Sequence, residues 1–552
     1  MLKPALLASF IVIVTYLYLK LRYKRFSQYA SFPQLPPTLL FGHLKTVDQY
    51  TRHEAADCHP DVIFSDMSEA LGRPPLMLVD LRPISKPMVV IMNHEIAEQV
   101  SRASTLFPTS PPKVSFKHLE HLVGPTSILS SHGDEWKMLR KRFNPGFSPQ
   151  HLGTLLPCIL DRTLPFISHL DHFARTQDEF PLVSLIVDLT FDIIGSVIMD
   201  VDLEAQHLDP FNQGELVRLF SELLAAYSDD KADYPWWLIP RTELRRRRLG
   251  KRIDVLLRGI IHRKFAEQRG ELATGEKSRS ILALSLGDTE SLSPKLVDVT
   301  CDQLKTFLLA GHDTTSVTLA WAFYELSLNP SALATVRAEL DSLLGPDTSP
   351  EAVRARLLSS DGAAIVQKMT YVSAVIKETL RLHPTAATAR QSEQGAGFSV
   401  RTPEGQEYCL DGMIIYNCET IIHRDPSVYG DSANSFVPER WLNELGGLPD
   451  INAASRGKTP VSAWRPFERG PRNCIGQEFA IMEARVIIAY AARRYDFIKI
   501  GLGEALCDGD GRPIMDAQGN FQVKAPLYNT RQVTAKPVDG MRVKVKMAAG
   551  AK

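Results

Sequence analysis

The 552-residue sequence lacks any excess of charge, with 63 lysines and arginines against 63 aspartates and glutamates. That balance excludes the broadly basic surface of a nucleic-acid binder and the acidic tail of a charge-driven partner. Cysteine is sparse: seven residues (58, 158, 301, 409, 418, 474 and 507), odd in number and without C-x-x-C spacing. A disulfide framework and a zinc site are thereby excluded, and a reducing surrounding is expected. No glycine-rich nucleotide-binding segment occurs, so a redox role would need electrons from another protein. Length alone, at about 150 residues per domain, suggests three or four domains.

Long apolar runs are also few, and they differ in kind. Pro4 to Leu19 is uncharged and almost continuously apolar. As a helix it would extend roughly 24 Å, close to the core of a thin bilayer. Lys20, Arg22, Lys24 and Arg25 follow at once, which places the remainder of the chain on the cytosolic side. Ser31 to Pro37 reads as a stiff, extended linker. The second run, Leu182 to Met199, contains Asp188 and Asp192, and is expected to be a buried soluble helix. A second membrane contact is suggested by Tyr234-Pro-Trp-Trp-Leu-Ile-Pro240, followed by Arg241 and the run Arg245 to Arg248.

Among the cysteines, Cys474 stands apart. It lies in Phe467-Glu-Arg-Gly-Pro-Arg-Asn-Cys-Ile-Gly476, where Gly470 and Pro471 mark a turn and Gly476 leaves room beside the sulfur. From Gln477 the apolar spacing is helical, so Cys474 precedes a helix N-terminus, where dipole and amide groups favour a thiolate. A thiolate is the form that binds a metal. The order F-x-x-G-x-R-x-C-x-G resembles the haem-ligand loop of the cytochrome P450 monooxygenases.

The resemblance extends along the chain from about residue 30. Trp136 and Arg140, at i, i+4 on one helix, correspond to the pair that hydrogen-bonds a haem propionate in that family, with Arg472 and Arg390 as further cationic partners. A helix starting at Ser293-Pro294 and ending at Asn329-Pro330 carries Ala310-Gly-His-Asp-Thr-Thr315. This resembles the family's A-G-x-D/E-T-T signature, in which a break in helix hydrogen bonding opens a groove over the iron. By that match Thr314 hydrogen-bonds dioxygen and Asp313 relays protons. Glu378 and Arg381 form an E-x-x-R pair and Arg440 lies in Pro438-Glu-Arg-Trp; the resemblance implies a structural triad. The same E-x-x-R spacing recurs at Glu243/Arg246 and Glu351/Arg354, so spacing alone does not choose.

The expected fold is mainly α with a minor β region, a cytochrome P450 fold preceded by one transmembrane helix. Residues 1–25 would be the anchor and its basic flank, 26–45 a Pro-rich linker, and 46–552 a single catalytic domain. Strands are expected around Leu76 to Met92, with Phe398 to Arg401, Gln406 to Leu410 and Met413 to Tyr416 extending the same sheet, and Phe107 to Ile128 as a loop. The implied cofactor is haem b held by Cys474, with Phe467 and Gly476 in its cradle. Electrons would come from NADPH through a flavoprotein, the NADPH-cytochrome P450 reductase, with cytochrome b5 as a second donor and Lys137, Lys141 and Arg142 as docking charges. The other implied partners are O2, a largely apolar small molecule and membrane lipid, at the endoplasmic reticulum. The run His423 to Pro426 and the insertion-rich C-terminus resemble fungal microsomal members of specialised metabolism. A haem isomerase or dehydratase of the same fold and a non-enzymatic haem sensor are the alternatives.

Overall fold

The computed structural model describes residues 2–114, 117–227, 238–274, 278–387, 389–442, 459–517 and 519–550. They form two compact units interleaved in sequence: Met1–Val114 with Ala387–Ala433 and Thr459–Asn473, and Ser115–Ala386 with Asn434–Lys458 and Cys474–Lys552.

The smaller unit holds most of the strands. Leu76–Val79, Met88–Ile91, Ile414–Asn417 and Ala389–Gln391 form one sheet in that spatial order. The outer pairs are antiparallel and the central pair parallel. The hairpin Ser399–Arg401 with Glu407–Cys409 pairs with itself and does not extend that sheet as expected. It joins the core through Phe398, Val400 and Tyr408, which pack with Leu76, Val89 and Ile415. Side-chain burial, which the alternating pattern did reveal, thus leaves strand partnership undetermined.

The N-terminal helix, Leu2–Arg22, runs into a five-residue π-helical turn at Tyr23–Ser27. From Ala5 onward it meets the length and composition of a membrane span, and none of it is buried. Two expectations for the following segment change. Residues 31–37 are not a free spacer: Phe32 is buried in the core, and the Leu78 amide donates to the Pro33 carbonyl at 2.8 Å. Arg25, expected as a flanking charge, is buried and paired with Asp80.

The larger unit is built on the 35-residue helix Pro294–Leu328. The Ser293 hydroxyl caps it by accepting from the Leu296 amide at 3.2 Å, and proline occupies its first turn. Leu182–Met199 lies against it, 83% buried, as its two aspartates foretold. The Asp192 carboxylate accepts from the amides of Ala205 and Gln206. Strands Phe180–Pro181 and Tyr495–Lys499 flank Arg542–Met547 in a three-stranded sheet. Within the expected loop 107–128, Lys117–Leu119 and Glu120–Val123 wind into a 3-10 turn and a single α-helical turn.

Of the aromatic–basic stretch, Tyr234 to Trp237 lie outside the described residues. Its basic run is partly structural: Arg246 is buried on the Ala226 carbonyl and over the Tyr227 ring, and Arg245 pairs with Glu222.

Candidate active site

In the smaller unit, the segment leading to Cys474 is fixed by its neighbours. Gly470 has φ +76°, and a Cβ there would stand 2.1 Å from the Ser101 carbonyl oxygen, so only glycine fits. Phe467 is half-buried, edge-on to Trp464 at 6.1 Å, and Arg472 is buried. Glu468, unremarked in the sequence, is the electrostatic centre. Its carboxylate accepts from Arg465 at 2.7 Å, Ser101 at 3.0 Å and Arg390 at 3.3 Å. Burial opposes its ionisation, but Arg465 and Arg390 outweigh that and hold it down at about 2. Its only signal in the sequence was an acid set among arginines. Arg390 is fully enclosed, and its Nε and Nη1 have no hydrogen-bond partner among the described residues.

In the larger unit, Cys474 is exposed, two residues before the Gly476 cap of helix Gln477–Arg494. A Cβ on Gly476 would meet Cys474 Sγ and Phe147 at 3.9 Å, ordinary contacts, so the protein itself does not demand glycine there. Helix Gly133–Phe143 buries Trp136 and leaves Arg140 half-buried. Burial pulls the Arg140 guanidinium below its usual range, while the Cys474 sulfur acts in the opposite sense. Arginine stays charged through such a shift, so Arg140 and Cys474 form a cation–thiol neighbourhood. Lys137 and Lys141 on the same helix are exposed, but Arg142 turns inward to the Ser285 carbonyl at 2.9 Å and drops out as a docking charge.

The central helix is assigned continuously through its signature. From Cys301 to Tyr324 its residues are buried except at Ala310, Gly311 and Thr314, which share one face. The opening here comes from small side chains, and the Thr314 hydroxyl donates to the Ala310 carbonyl at 2.8 Å. Gly311 serves the neighbouring helix as well, since a Cβ would lie 2.5 Å from Ile194 Cδ1. His312 stacks on Phe191 at 3.8 Å, and burial pushes it down to about 4, so it is neutral. Asp313 is wholly buried, with Thr534 donating to Oδ2 and the Lys536 ammonium paired with Oδ1, both at 2.5 Å. No local pattern pointed to residues more than two hundred positions later as its partners.

Glu378, Arg381 and Arg440 meet in the larger unit. Glu378 accepts from Arg381 Nε and Nη2 at 2.8 Å and from Arg440 Nε at 3.0 Å. The Trp441 indole at 3.0 Å and the Val437 amide at 2.8 Å complete its shell, two partners that spacing did not reveal. Of the two further E-x-x-R pairs named above, Glu243 and Arg246 approach only to 3.8 Å, and Arg354 pairs with Asp161 instead.

The Cytochrome P450 family profile matches residues 33–506, and the chain belongs to that family. It is an enzyme of the monooxygenase class within it. The chain is 32% identical over 460 residues to cytochrome P450 monooxygenase acrF of Aspergillus aculeatus, covering 80% of this chain and 88% of that one. It is 27% identical over 503 residues to cytochrome P450 monooxygenase polC of Polytolypa hystricis, covering 87% and 84%. To human cytochrome P450 4V2 it is 27% identical over 450 residues, 78% of each chain.

The family implies haem iron, and the residues present fit it. An exposed thiol at a helix start would suit a ligand to the iron. Buried guanidinium donors at Arg390 Nε and Nη1, without an acceptor among the described residues, are what a carboxylate satisfies. Gly476 is a glycine that no contact among the described residues requires.

Proposed function

We propose that this chain is a membrane-anchored haem-thiolate monooxygenase. It would insert one atom of O2 into a largely apolar small molecule, by hydroxylation, epoxidation or a related oxidation. Cys474, exposed at the start of Gln477–Arg494 in the family's ligand loop, is the observation that carries the reading. Trp136, Arg140, Arg390 and Arg472 would hold the propionates, with Phe467 and Gly476 shaping the space around the sulfur. When bound there, haem supplies oxygen activation, which a thiolate ligand favours by donating electron density.

The chain's own residues supply position and protons. Ala310 and Gly311 leave a low face on the central helix on which a substrate can lie, and Thr314 places a hydroxyl there. Asp313 would pass protons toward that face once its carboxylate leaves Thr534 and Lys536. Electrons would come from NADPH through a flavoprotein reductase or cytochrome b5, with Lys137 and Lys141 as docking charges. Two fungal monooxygenases among the relatives support a fungal setting in specialised metabolism, and the apolar helix Leu2–Arg22 supports placement at the endoplasmic reticulum membrane with the rest of the chain cytosolic.

The test is the spectrum of the reduced, CO-treated protein. The wild-type chain should show the red-shifted Soret band of a thiolate-ligated haem, and Cys474→Ser should lose it while retaining helical circular dichroism. A Cys474→Ser spectrum identical to wild type would refute the assignment.

A further inference from the structure

In the smaller unit, charged side chains are sealed together in unequal numbers. Arg390 and Arg465 are both fully enclosed. The carboxylate of Glu468 lies between them, its Oε1 accepting from Arg465 Nη2 at 2.7 Å and its Oε2 from Arg390 Nη2 at 3.3 Å. Glu419, a second buried acid beside them, does not redress the balance: burial and the charge of Glu468 push its carboxyl well up and leave it neutral. Glu98, half-buried, serves Arg469 at 2.7 Å and comes only to 3.9 Å of Arg465.

The shortfall falls on Arg390. Arg465 has its short contact to Glu468 and two further acceptors, Ser101 Oγ at 2.5 Å and the Ala97 carbonyl at 3.2 Å, with only Nε unmatched among the described residues. Arg390 has one long contact and two unmatched donors, Nε and Nη1. A buried charge so thinly matched calls for a second anion. Glu468 is itself held against its preference. Its φ is +55°, in the left-handed region that glycine enters freely and a residue with a Cβ reluctantly. A carboxylate stands where glycine would fold more easily, which points to the charge as the reason for the residue.

We infer that Glu468 is a positioning residue for the haem, an internal counter-ion that holds Arg390 by Nη2, leaves Nε and Nη1 for a propionate, and shares the guanidinium's charge with it. This rests on the reading of Arg390 as a propionate partner. Carboxylates that share one set of guanidiniums stand in for one another, so losing one costs more when the other is already missing.

The test uses the full chain loaded with protohaem or with protohaem dimethyl ester, whose propionates carry no charge, and reads the Tm of each holoenzyme by calorimetry. Esterification should lower the Tm of Glu468→Gln by about twice as much as that of the wild type, or more. Glu468→Asp, which keeps the charge, should follow the wild type. A Glu468→Gln chain that holds protohaem and rejects the ester is the extreme form of the same result. The inference would be overturned by a loss in Glu468→Gln no larger than in the wild type, by Glu468→Asp behaving as Glu468→Gln does, or by a Glu468→Gln chain that takes up neither haem. The haem-thiolate reading is judged separately, by the red-shifted Soret band of the reduced, CO-treated wild type, whose absence would overturn that reading as well.

Discussion

At the scale of single residues, Glu378 shows what a buried acid needs. Burial alone would raise its pKa, yet hydrogen bonds from Arg381 and the charges of Arg381 and Arg440 hold it below the usual carboxylate range. Glu378→Gln would leave two buried guanidiniums without a counter-charge, a loss of about 3–5 kcal/mol. Because the folded pKa is depressed, that stabilisation is present above the unfolded value and lost as pH falls through the folded one. Urea denaturation should therefore find a large gap between the variant and wild type at pH 7 and a smaller one below pH 4. The acid and its arginines were legible as a motif; Trp441 and the Val437 amide were not, because only the folded chain brings them to the same oxygens. Arg25 and Arg142 mark the converse limit, since a basic residue in a basic run reads as solvated whether or not a carbonyl inside the protein awaits it.

At the scale of elements, the central helix was the most legible part of the chain. Its Ser-Pro start and Asn-Pro stop fell where the cap and the next helix lie, because capping is a local matter. The fate of Asp313 was not legible, since the hairpin Asn529–Thr530 with Lys536–Pro537 supplies its partners across a long sequence separation. Lys536→Met should cost about 3 kcal/mol by stranding a buried carboxylate, whereas Lys536→Arg should cost much less. The double variant Lys536→Met/Asp313→Asn should recover most of the loss, which a thermal-denaturation cycle would measure. The strand hairpin 399–409 was legible as strands but not in its pairing, because alternation reports which face is buried and leaves the neighbour open.

At the scale of the molecule, two helices pass the same apolar test and have opposite fates. Leu182–Met199 is interior, and its Asp188 is pushed up to about 7, chiefly by burial. A raised carboxyl pKa removes stability as pH climbs from the unfolded value toward the folded one. Asp188→Asn should therefore raise the Tm by a few degrees at pH 8 and leave it unchanged at pH 4, as calorimetry would show.

The placement of Arg542–Met547 between Tyr495–Lys499 and Phe180–Pro181 bears on biosynthesis. Two strands made earlier, one of them more than three hundred residues upstream, have no bridge until this segment leaves the ribosome. Domains generally fold as units during synthesis, but this sheet closes only once residues 542–547 have been made. A chain halted before residue 542 would carry two open strand edges, the feature that recruits other chains into aggregates. Nonsense products from this gene are thus expected to be substrates for quality control even when every residue of the Cys474 loop has been made.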